Sequence, residues 1–218
     1  MRKGIPALLL TLSLLLCGCR LLPERIPPAG LTVHFIDVGQ ADCALLESGG
    51  EYMLIDGGNR EDGRLVVSYL EQQGVEELAY VVCTHAHEDH VGGLPSVLAV
   101  YPTHAVYAPT RTYASKVFDD FVYYADQQRL ELTIPSPGDG WTLGETSVTV
   151  LGPVQSYADP NDTSIILRVE YGDTSFLFTG DMETSAENDM LDYWGSRMSW
   201  KACLLYTSPS PRDRQKSR

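Results

Sequence analysis

Short apolar runs separated by Gly, Asn and Asp form the pattern of the chain from residue 31 onward. Runs of this kind, rich in Val, Ile, Leu and Tyr, predict β-strands, and Gly49-Gly50 between two of them predicts a hairpin turn. The run at 78–83 does not alternate between apolar and polar residues, which predicts a strand buried on both faces. Strands are therefore expected at 31–38, 43–46, 52–55, 78–83, 105–107, 148–151, 164–170 and 174–179.

Other segments have the apolar spacing of helices, which are expected at 62–73, about 94–100, 113–130 and 183–194. The apolar face predicted for the first of them comprises Leu65, Val66, Tyr69 and Leu70. This order of strands and helices predicts an α/β fold in which helices cover the sheets. The chain of 218 residues is long enough for one domain with a sizeable core, and no second domain fits the pattern.

The chain is strongly acidic, with 29 Asp and Glu against 16 Lys and Arg and a formal net charge of −13. Such a surface repels polyanions, which argues against a non-specific DNA-binding protein. A nucleic-acid substrate would have to be attracted locally, by bound metal cations or by a basic patch that the sequence does not locate.

The N-terminus has the pattern of an export signal. Arg2 and Lys3 precede an apolar run at 7–16, which is short for a membrane span and suits the core of a signal peptide. The run leads into Leu16-Cys17-Gly18-Cys19, which resembles a bacterial lipobox. We expect a signal peptide at 1–18, a lipid on Cys19 and a Pro-rich tether at 19–30, and hence an extracytoplasmic lipoprotein anchored to a bacterial membrane. A plain secretory signal and an uncleaved anchor are the alternatives.

The segment at 203–218 resembles a translated sequencing adapter, because Cys203 to Asp213 back-translates to the transposase adapter of sequencing libraries. The alternative is a natural polar tail, since Ser, Pro and Arg are common at chain termini. We expect the natural sequence to break off near Ala202, which leaves an incomplete domain at 31–202. Within that domain, Cys43 and Cys83 are expected to be either buried free thiols or a disulfide.

The candidate chemistry lies directly after the strand predicted at 78–83. Residues 85–90 of Thr84-His85-Ala86-His87-Glu88-Asp89-His90 hold three imidazoles and two carboxylates, and both groups are typical ligands of zinc and manganese. In an extended turn His85 and His87 point the same way and can bind one ion, while Asp89 and His90 suit a second ion nearby. Two such ions can share a bridging hydroxide, which is a nucleophile at neutral pH. A polar turn with surface histidines is the alternative.

This motif resembles the H-x-H-x-D-H signature of the metallo-β-lactamase superfamily. Further segments resemble, more narrowly, the extracellular hydrolase domain of the DNA-uptake protein ComEC and its stand-alone relatives. They are Phe35-Ile36-Asp37-Val38-Gly39-Gln40-Ala41-Asp42, Leu54-Ile55-Asp56-Gly57-Gly58, and Asn161-Asp162-Thr163-Ser164 with Phe178-Thr179-Gly180-Asp181. The resemblance extends over 31–194 and implies a four-layer αββα sandwich, here truncated at its C-terminus.

The resemblance also implies a set of metal ligands: His85, His87, Asp89, His90 and Asp181. In that scheme His85 and His87 bind the first ion, Asp89 and His90 bind the second, and Asp181 bridges the two. Asp89 is in addition the expected catalytic residue. Asp56 is expected to support the metal-binding loop without binding an ion itself. Ordinary turns are the alternatives for Asp56 and Asp181.

Two features depart from the family pattern. Asn161 and Asp162 lie where many relatives have a further ligand, often His, so their role stays open. The family also has a His in a Gly-His-His-Gly-Ser-like segment well after the position of Asp181, whereas no His follows His104 in this chain. We therefore expect an incomplete shell for the second ion and leave the activity of the chain as given open. His34 and His104 are expected to be structural.

The function implied by the resemblance is that of an exported hydrolase with two divalent ions, zinc or manganese. Its metal-bound hydroxide would attack a phosphodiester, such as extracellular DNA or a nucleotide. The alternatives are hydrolysis of a β-lactam or another amide, and a non-catalytic surface lipoprotein that uses the scaffold for binding. No protein partner can be inferred. Tyr123-Tyr124 is expected to pack in the core or a lid rather than stack on bases, and Asp119-Asp120 to face solvent.

Overall fold

The computed structural model describes residues 29–197 and 204–206, which form two sheets flanked by helices. The strands of the first sheet are β1 (Leu31–Phe35), β2 (Ala44–Ser48), β3 (Glu51–Ile55), β4 (Leu78–Val82), β5 (Thr103–Tyr107) and β6 (Leu132–Thr133). They lie side by side in chain order. The first three are antiparallel, and β3 to β6 run parallel.

Parallel neighbours need crossover connections, which four helices supply. These are α1 (Gly63–Gln72) between β3 and β4, α2 (Glu88–Val91) and α3 (Leu94–Leu98) between β4 and β5, and α4 (Lys116–Gln127) between β5 and β6. Helix α2 lies inside the His-rich motif, where the sequence predicted an extended turn. Its single helical turn begins directly after His87.

The second sheet is mostly antiparallel. Its strands are β7 (Gly140–Leu143), β8 (Thr146–Gly152), β9 (Ile166–Tyr171), β10 (Thr174–Phe178) and β11 (Leu204–Tyr206). Their order is β11-β10-β9-β8-β7, and only β10 and β11 pair in parallel among the described residues. Helix α5 (Thr184–Trp194) follows β10, and short 3-10 turns occupy Arg60–Asp62, Asn161–Thr163 and Gly195–Arg197.

Alternation of side chains along the strands divides the core into layers. On β3, Leu54 packs in a cluster with residues of α1 and α4, whereas Met53 and Ile55 point the other way and pack against the second sheet. The outer face of the second sheet contacts Met190 of α5. The order helix, sheet, sheet, helix confirms the four-layer αββα sandwich.

Helix α1 buries most of the predicted face, and Tyr69 packs against the core as expected. Val66 and Leu70 lie one turn apart and are fully buried, but Leu65 is 45% exposed, so its assignment to the buried face is wrong. The contact is made instead on the side of Gly63, which lies so close to Ser96 of α3 that a β-carbon would meet the hydroxyl oxygen at 2.4 Å. That approach sets the rotation of the helix and turns Leu65 to solvent.

Strand β4 is only partly buried. Leu78, Val81 and Val82 are fully buried, as predicted, while Ala79 and Tyr80 are half-buried. The ring of Tyr80 lies 5.6 Å from that of Trp141 on β7, between the two sheets and near an edge of the sandwich.

Cys43 and Cys83 are both free and fully buried, so the disulfide alternative is wrong. Burial raises the pKa of both thiols well above the usual range, and the negative charge of Asp56 raises it further. A raised pKa leaves little thiolate, the nucleophilic form, at neutral pH.

Several terminal predictions fall outside the described residues. The signal peptide at 1–18, Cys19 and most of the tether at 19–30 are among them, and of the adapter-like segment at 203–218 only β11 is described. Between residues 29 and 197, no helix is both long enough and apolar enough to cross a membrane.

We expect Cys43 and Cys83 to resist alkylation by iodoacetamide at pH 8 in the folded protein and to react fully in guanidinium chloride. Unfolding exposes the thiols and returns their pKa to the ordinary range, so the thiolate becomes available. Peptide mapping by mass spectrometry assigns the label to each cysteine separately. Equal labelling of either residue in folded and unfolded protein would contradict this account of the core.

Candidate metal centre

Four segments of the chain meet at one edge of the two sheets. Because β3 and β4 are parallel neighbours, the loops that follow them leave the first sheet on the same side. These loops carry Asp56 and the motif at 84–90, and the segment before β2 adds Asp42. Asp181 follows β10 of the second sheet, which is tied to the motif by a 2.8 Å hydrogen bond from the Ile165 N–H to the Thr84 carbonyl oxygen.

His85, His90 and Asp181 form the centre of the site. Both imidazoles are fully buried, and their ring centroids are 4.0 Å apart. The Nε2 atom of His85 lies 4.0 Å, and that of His90 3.4 Å, from the Asp181 carboxylate. Within residues 29–197, neither Nε2 atom has a hydrogen-bond partner. Two buried imidazole nitrogens and one carboxylate therefore face the same small volume.

A buried carboxylate orients the His90 ring. The Nδ1 atom of His90 is 2.9 Å from Oδ2 of Asp56, and Thr84 donates both its N–H and its hydroxyl to the same carboxylate at 2.7 Å. Asp56 has a φ of 57°, a left-handed conformation that Asp tolerates better than most residues. With Nδ1 committed to Asp56, the Nε2 atom of His90 is the one directed to Asp181.

The two buried imidazoles differ in protonation. Burial, and then the charge of His90, lowers the pKa of His85 to about 3. Burial also disfavours the charged form of His90, but Asp56 and Asp181 outweigh it and raise the pKa of His90 to about 11. His85 is therefore neutral, with a lone pair available, and the surrounding carboxylates favour positive charge at this point of the molecule.

Asp42 and Thr84 belong to the site but were not predicted as site residues. Asp42 is 3% exposed, and its ligand atom lies within 4.8 Å of those of Asp56 and His90. Its backbone N–H donates to the Asp89 carbonyl oxygen at 3.1 Å, and its carbonyl oxygen accepts from the Gly58 N–H at 2.9 Å. The available signal was the position of Asp42 beside an apolar strand, which it shares with Asp56.

Glycines let the backbones around the motif approach one another. A β-carbon on Gly93 would lie 2.1 Å from the carbonyl oxygen of Gly57, and one on Gly92 would lie 2.4 Å from the Arg60 nitrogen. Unusual backbone angles do not explain these two glycines. Both residues instead have ordinary helical angles, so it is the lack of space that requires glycine.

Gly180 plays a similar part on the second sheet. Its φ is +50°, and a β-carbon there would lie 2.9 Å from the hydroxyl oxygens of both Ser164 and Thr84. The Ser164 hydroxyl in turn accepts a hydrogen bond from the Asp181 N–H at 3.2 Å. The absence of a side chain at Gly180 thus allows Asp181 to approach the motif.

His87 and Asp89, two of the predicted ligands, lie at the margin of the centre. Both are half-buried, and the ring of His87 contacts that of His85 at 4.9 Å between centroids. Neither belongs to the groups of three potential ligands that converge in the described part of the chain, which are His85, His90 and Asp181, and Asp42, Asp56 and His90.

Asn161 and Asp162 support the Asp181 loop from the outside. Asp162 is buried and accepts a hydrogen bond from the Glu183 N–H at 3.0 Å, and the Asn161 side chain donates to the Glu183 carboxylate at 3.3 Å. Neither belongs to a converging group of ligands in the described residues. Their hydrogen bonds fix the chain just after Asp181.

The other histidines lie away from the site. His34 contacts the Tyr69 hydroxyl at 3.0 Å on the helical side of the first sheet. His104 forms an exposed ion pair with Glu77 at 3.2 Å. Both contacts agree with the structural roles expected for these residues.

The central donor set fits a divalent metal ion. The ligand atoms of His85, His90 and Asp181 all lie within 4.8 Å of one another. Imidazole nitrogen and carboxylate oxygen are ligands that zinc and manganese accept. The buried Nε2 atoms, which lack hydrogen-bond partners in residues 29–197, would gain one by binding an ion.

Comparison with known proteins gives a consistent result. The family model described as the metallo-beta-lactamase superfamily matches residues 36–214. The chain is similar to Recombination protein 2 of Haemophilus influenzae, with 28% identity over 181 residues, 80% of this chain and 21% of that protein. It is also similar to Competence protein ComA of Neisseria gonorrhoeae, with 27% identity over 185 residues, 84% of this chain and 24% of that protein.

The resemblance to the superfamily and to competence proteins is thereby confirmed. The chain spans only about a quarter of the length of these relatives. Among solved structures, the metallo-beta-lactamase SMB-1 shares the fold with a TM-score of 0.56, covering 88% of this chain and 82% of its own. Its sequence identity is 16%, so this likeness concerns the fold alone.

We expect Gly93→Ala to destabilise the protein by at least about 2 kcal/mol, because its β-carbon has no room beside the Gly57 carbonyl oxygen. Urea unfolding measures the effect. Gly172→Asn is the matched control, since Gly172 lies in an open hairpin turn where Asn tolerates a positive φ. The close approach is absent if both variants unfold at the urea concentration of the parent.

We expect Thr84→Val to weaken zinc binding about 10- to 100-fold, whereas Thr84→Ser keeps the parent affinity. Valine preserves the shape of the side chain but removes the hydroxyl that donates to Asp56, which then orients His90 less firmly. Competition with a chromophoric chelator measures the affinity. Equal affinities for the Val and Ser variants would show that the hydroxyl plays no part.

Proposed function

The chain belongs to the metallo-β-lactamase superfamily, a family of hydrolases, and on this premise we propose that it is an exported phosphodiester hydrolase. In this proposal it uses two divalent ions, zinc or manganese, and acts on DNA or a nucleotide. The observation that carries the proposal is the pair of buried Nε2 atoms, of His85 and His90, that face the Asp181 carboxylate. Two buried imidazole nitrogens that face one carboxylate form a donor set that suits cation binding.

The proposed ligands are the five residues His85, His87, Asp89, His90 and Asp181. His85, His90 and Asp181 already converge in the described structure. His87 contacts His85, and Asp89 lies in the first turn of α2 beside it. In this proposal these two half-buried side chains join the set when the ions bind. We also propose Asp89 as a catalytic residue.

Divalent ions in such a site lower the pKa of water and stabilise negative charge on a phosphoryl group. The residues of the chain position the ions and exclude bulk water. His85 offers a neutral imidazole, because burial lowers its pKa. Asp56 holds the Nδ1 atom of His90, so that Nε2 stays directed to the ligand cluster. In this proposal Asp56 acts through His90 and does not touch the substrate.

A phosphodiester substrate is supported by the names of two similar proteins, Recombination protein 2 and Competence protein ComA. Both names concern the handling of DNA. Because the chain spans about a quarter of each relative, the activity of those whole proteins is not carried over directly. Two ions, rather than one, would also suit a phosphodiester, since one ion can stabilise the attacking oxygen and the other the leaving oxygen.

Export rests on the sequence at the N-terminus. Arg2 and Lys3 before the apolar run at 7–16, and Cys19 after it, support a lipoprotein held at the outer side of a bacterial membrane. In that location extracellular DNA or nucleotides would be within reach of the site.

We expect the purified chain, loaded with zinc or manganese, to hydrolyse bis(p-nitrophenyl) phosphate and DNA, and Asp181→Asn to lower turnover about 100-fold or more. The loss follows from removing the carboxylate shared by both buried imidazoles. Metal content, measured by mass spectrometry, should fall in parallel with turnover. Asp173→Asn, an identical change in an exposed turn, is the control and should alter neither quantity.

The same assays separate the alternative functions. A chain that turns over only a chromogenic cephalosporin would be an amide hydrolase, and the phosphodiester proposal would be wrong. A chain that binds no metal and hydrolyses none of these substrates would fit a binding role instead. Asp181→Asn with full metal content and full turnover would show that the ligands lie elsewhere.

A further inference from the structure

A groove of about 490 Å³ lies on the helical side of the first sheet, next to the motif. Helices α3 and α4 and the turn at Arg60 form its walls. Its lining combines charged, aromatic and small apolar side chains. The lining residues on which the inference depends are Arg60, Gly92, Lys116, Asp120, Tyr123 and Tyr124.

Two wall segments of the groove lie close to the motif along the chain. Gly92 lies two residues after His90, and its Cα is packed against the backbone of Arg60. On the opposite wall, Lys116 begins α4 three residues after Tyr113, whose ring is 6.1 Å from that of His87. A chain molecule bound at the metal centre could therefore continue into this groove.

Two cations converge in the groove on one carboxylate. The Arg60 Nη2 atom lies 3.0 Å from Asp120 Oδ2, and the Lys116 Nζ atom lies 3.0 Å from Oδ1 and 3.2 Å from Oδ2 of the same residue. Both cationic side chains are exposed, at 53% and 75%. Asp120 thus holds the two cations close enough together for both to contact one anionic group. It also neutralises part of their positive charge.

Lys and Arg are scarce between residues 29 and 197, so two of them side by side in one groove are unusual. Between residues 29 and 197, Lys and Arg occur only at Arg60, Arg64, Arg111, Lys116, Arg129, Arg168 and Arg197. Two of them, Arg60 and Lys116, line this groove. In a chain of net charge −13, this is the local basic feature that charge alone did not reveal.

Aromatic side chains line the same groove. Tyr124 is half-buried and packs against the core, as predicted for this pair. Tyr123, however, is 57% exposed, and its ring stands edge-on to that of Tyr124 at 5.2 Å between centroids. The expectation of core or lid packing is therefore wrong for Tyr123. Single-strand-binding proteins combine exposed aromatic rings, on which bases stack, with nearby cations.

We propose that this groove binds the polynucleotide strand that extends from the phosphodiester at the metal centre. Arg60 and Lys116 contact one backbone phosphate, and Tyr123 stacks on a neighbouring base. Asp120 both positions the two cations and competes with the phosphate for them. This inference rests on the proposed function and extends it, because it makes the substrate a polynucleotide strand rather than a mononucleotide.

Fluorescence anisotropy with a labelled single-stranded oligonucleotide of about 20 nucleotides tests the groove, using the metal-loaded full chain. We expect Arg60→Gln with Lys116→Gln to weaken binding about tenfold at 0.1 M salt and to reduce the slope of log Kd against log salt by about 0.7, the value for one phosphate on a single strand. Asp120→Asn should strengthen binding, since it frees both cations. Arg129→Gln with Arg168→Gln removes two cations that do not line the groove and should change neither quantity.

Tyr123→Leu separates stacking from charge. We expect it to weaken binding about fivefold or more and to leave the salt slope unchanged. Thermal unfolding of each variant checks that the fold is intact. The inference would be overturned if the variant with Arg60→Gln and Lys116→Gln bound the oligonucleotide as tightly as the control variant with Arg129→Gln and Arg168→Gln. It would also be overturned if polyglutamate, which offers charge without bases, displaced the labelled oligonucleotide as well as unlabelled oligonucleotide does.

The small substrate bis(p-nitrophenyl) phosphate keeps this test distinct from that of the proposed function. It has no strand to occupy the groove, so its turnover should be the same in the parent and in the groove variants. Loss of small-substrate turnover in those variants would show that Arg60 and Lys116 are needed for the structure of the metal centre. The proposed role of the groove in binding a strand would then be wrong. If the parent hydrolyses no substrate but its oligonucleotide binding still depends on the groove residues, the proposed hydrolase activity would be wrong and the proposed strand binding would stand.

Discussion

The hydrogen bonds that converge on the Asp56 carboxylate are the constraint on which the rest of the site depends. A carboxylate that is 2% exposed is costly unless donors surround it. Here the Thr84 N–H, the Thr84 hydroxyl and the His90 ring all lie within 2.9 Å of it. These bonds join the ends of β3 and β4 to helix α2. The parallel pairing of β3 and β4 thereby fixes the position of the His90 imidazole.

The glycines around the motif make that geometry attainable. Gly57, Gly92 and Gly93 bring three backbone segments into direct contact, and Gly180 does the same between the two sheets. Any side chain at these positions would push the Asp56 loop away from α2, or Asp181 away from His90. Close backbone contact and the buried hydrogen bonds therefore depend on each other, since neither can form if the other is displaced.

Much of this could be predicted from the sequence, and the reasons for the remainder are physical. Strands and helices were found because their apolar runs are long and clearly bounded. The motif at 85–90 was found because imidazoles and carboxylates are rarely so dense. Thr84 was missed because its role depends on Asp56, which is 28 residues away, and local sequence carries no trace of that contact. The buried face of α1 was misjudged at Leu65 because periodicity fixes a face only to within about one residue.

The net charge of the chain is likewise an incomplete guide to binding, because it does not say where the charges lie. A net charge of −13 argues against DNA binding when it is treated as one number. At physiological salt, however, exposed charges are screened over about 8 Å, so a strand near the site responds mainly to the groups within that distance. Around the motif those groups include Arg60 and Lys116, together with a centre whose carboxylates attract divalent cations. An acidic surface and a polyanionic substrate are therefore compatible, provided that the positive charge lies where the strand is bound.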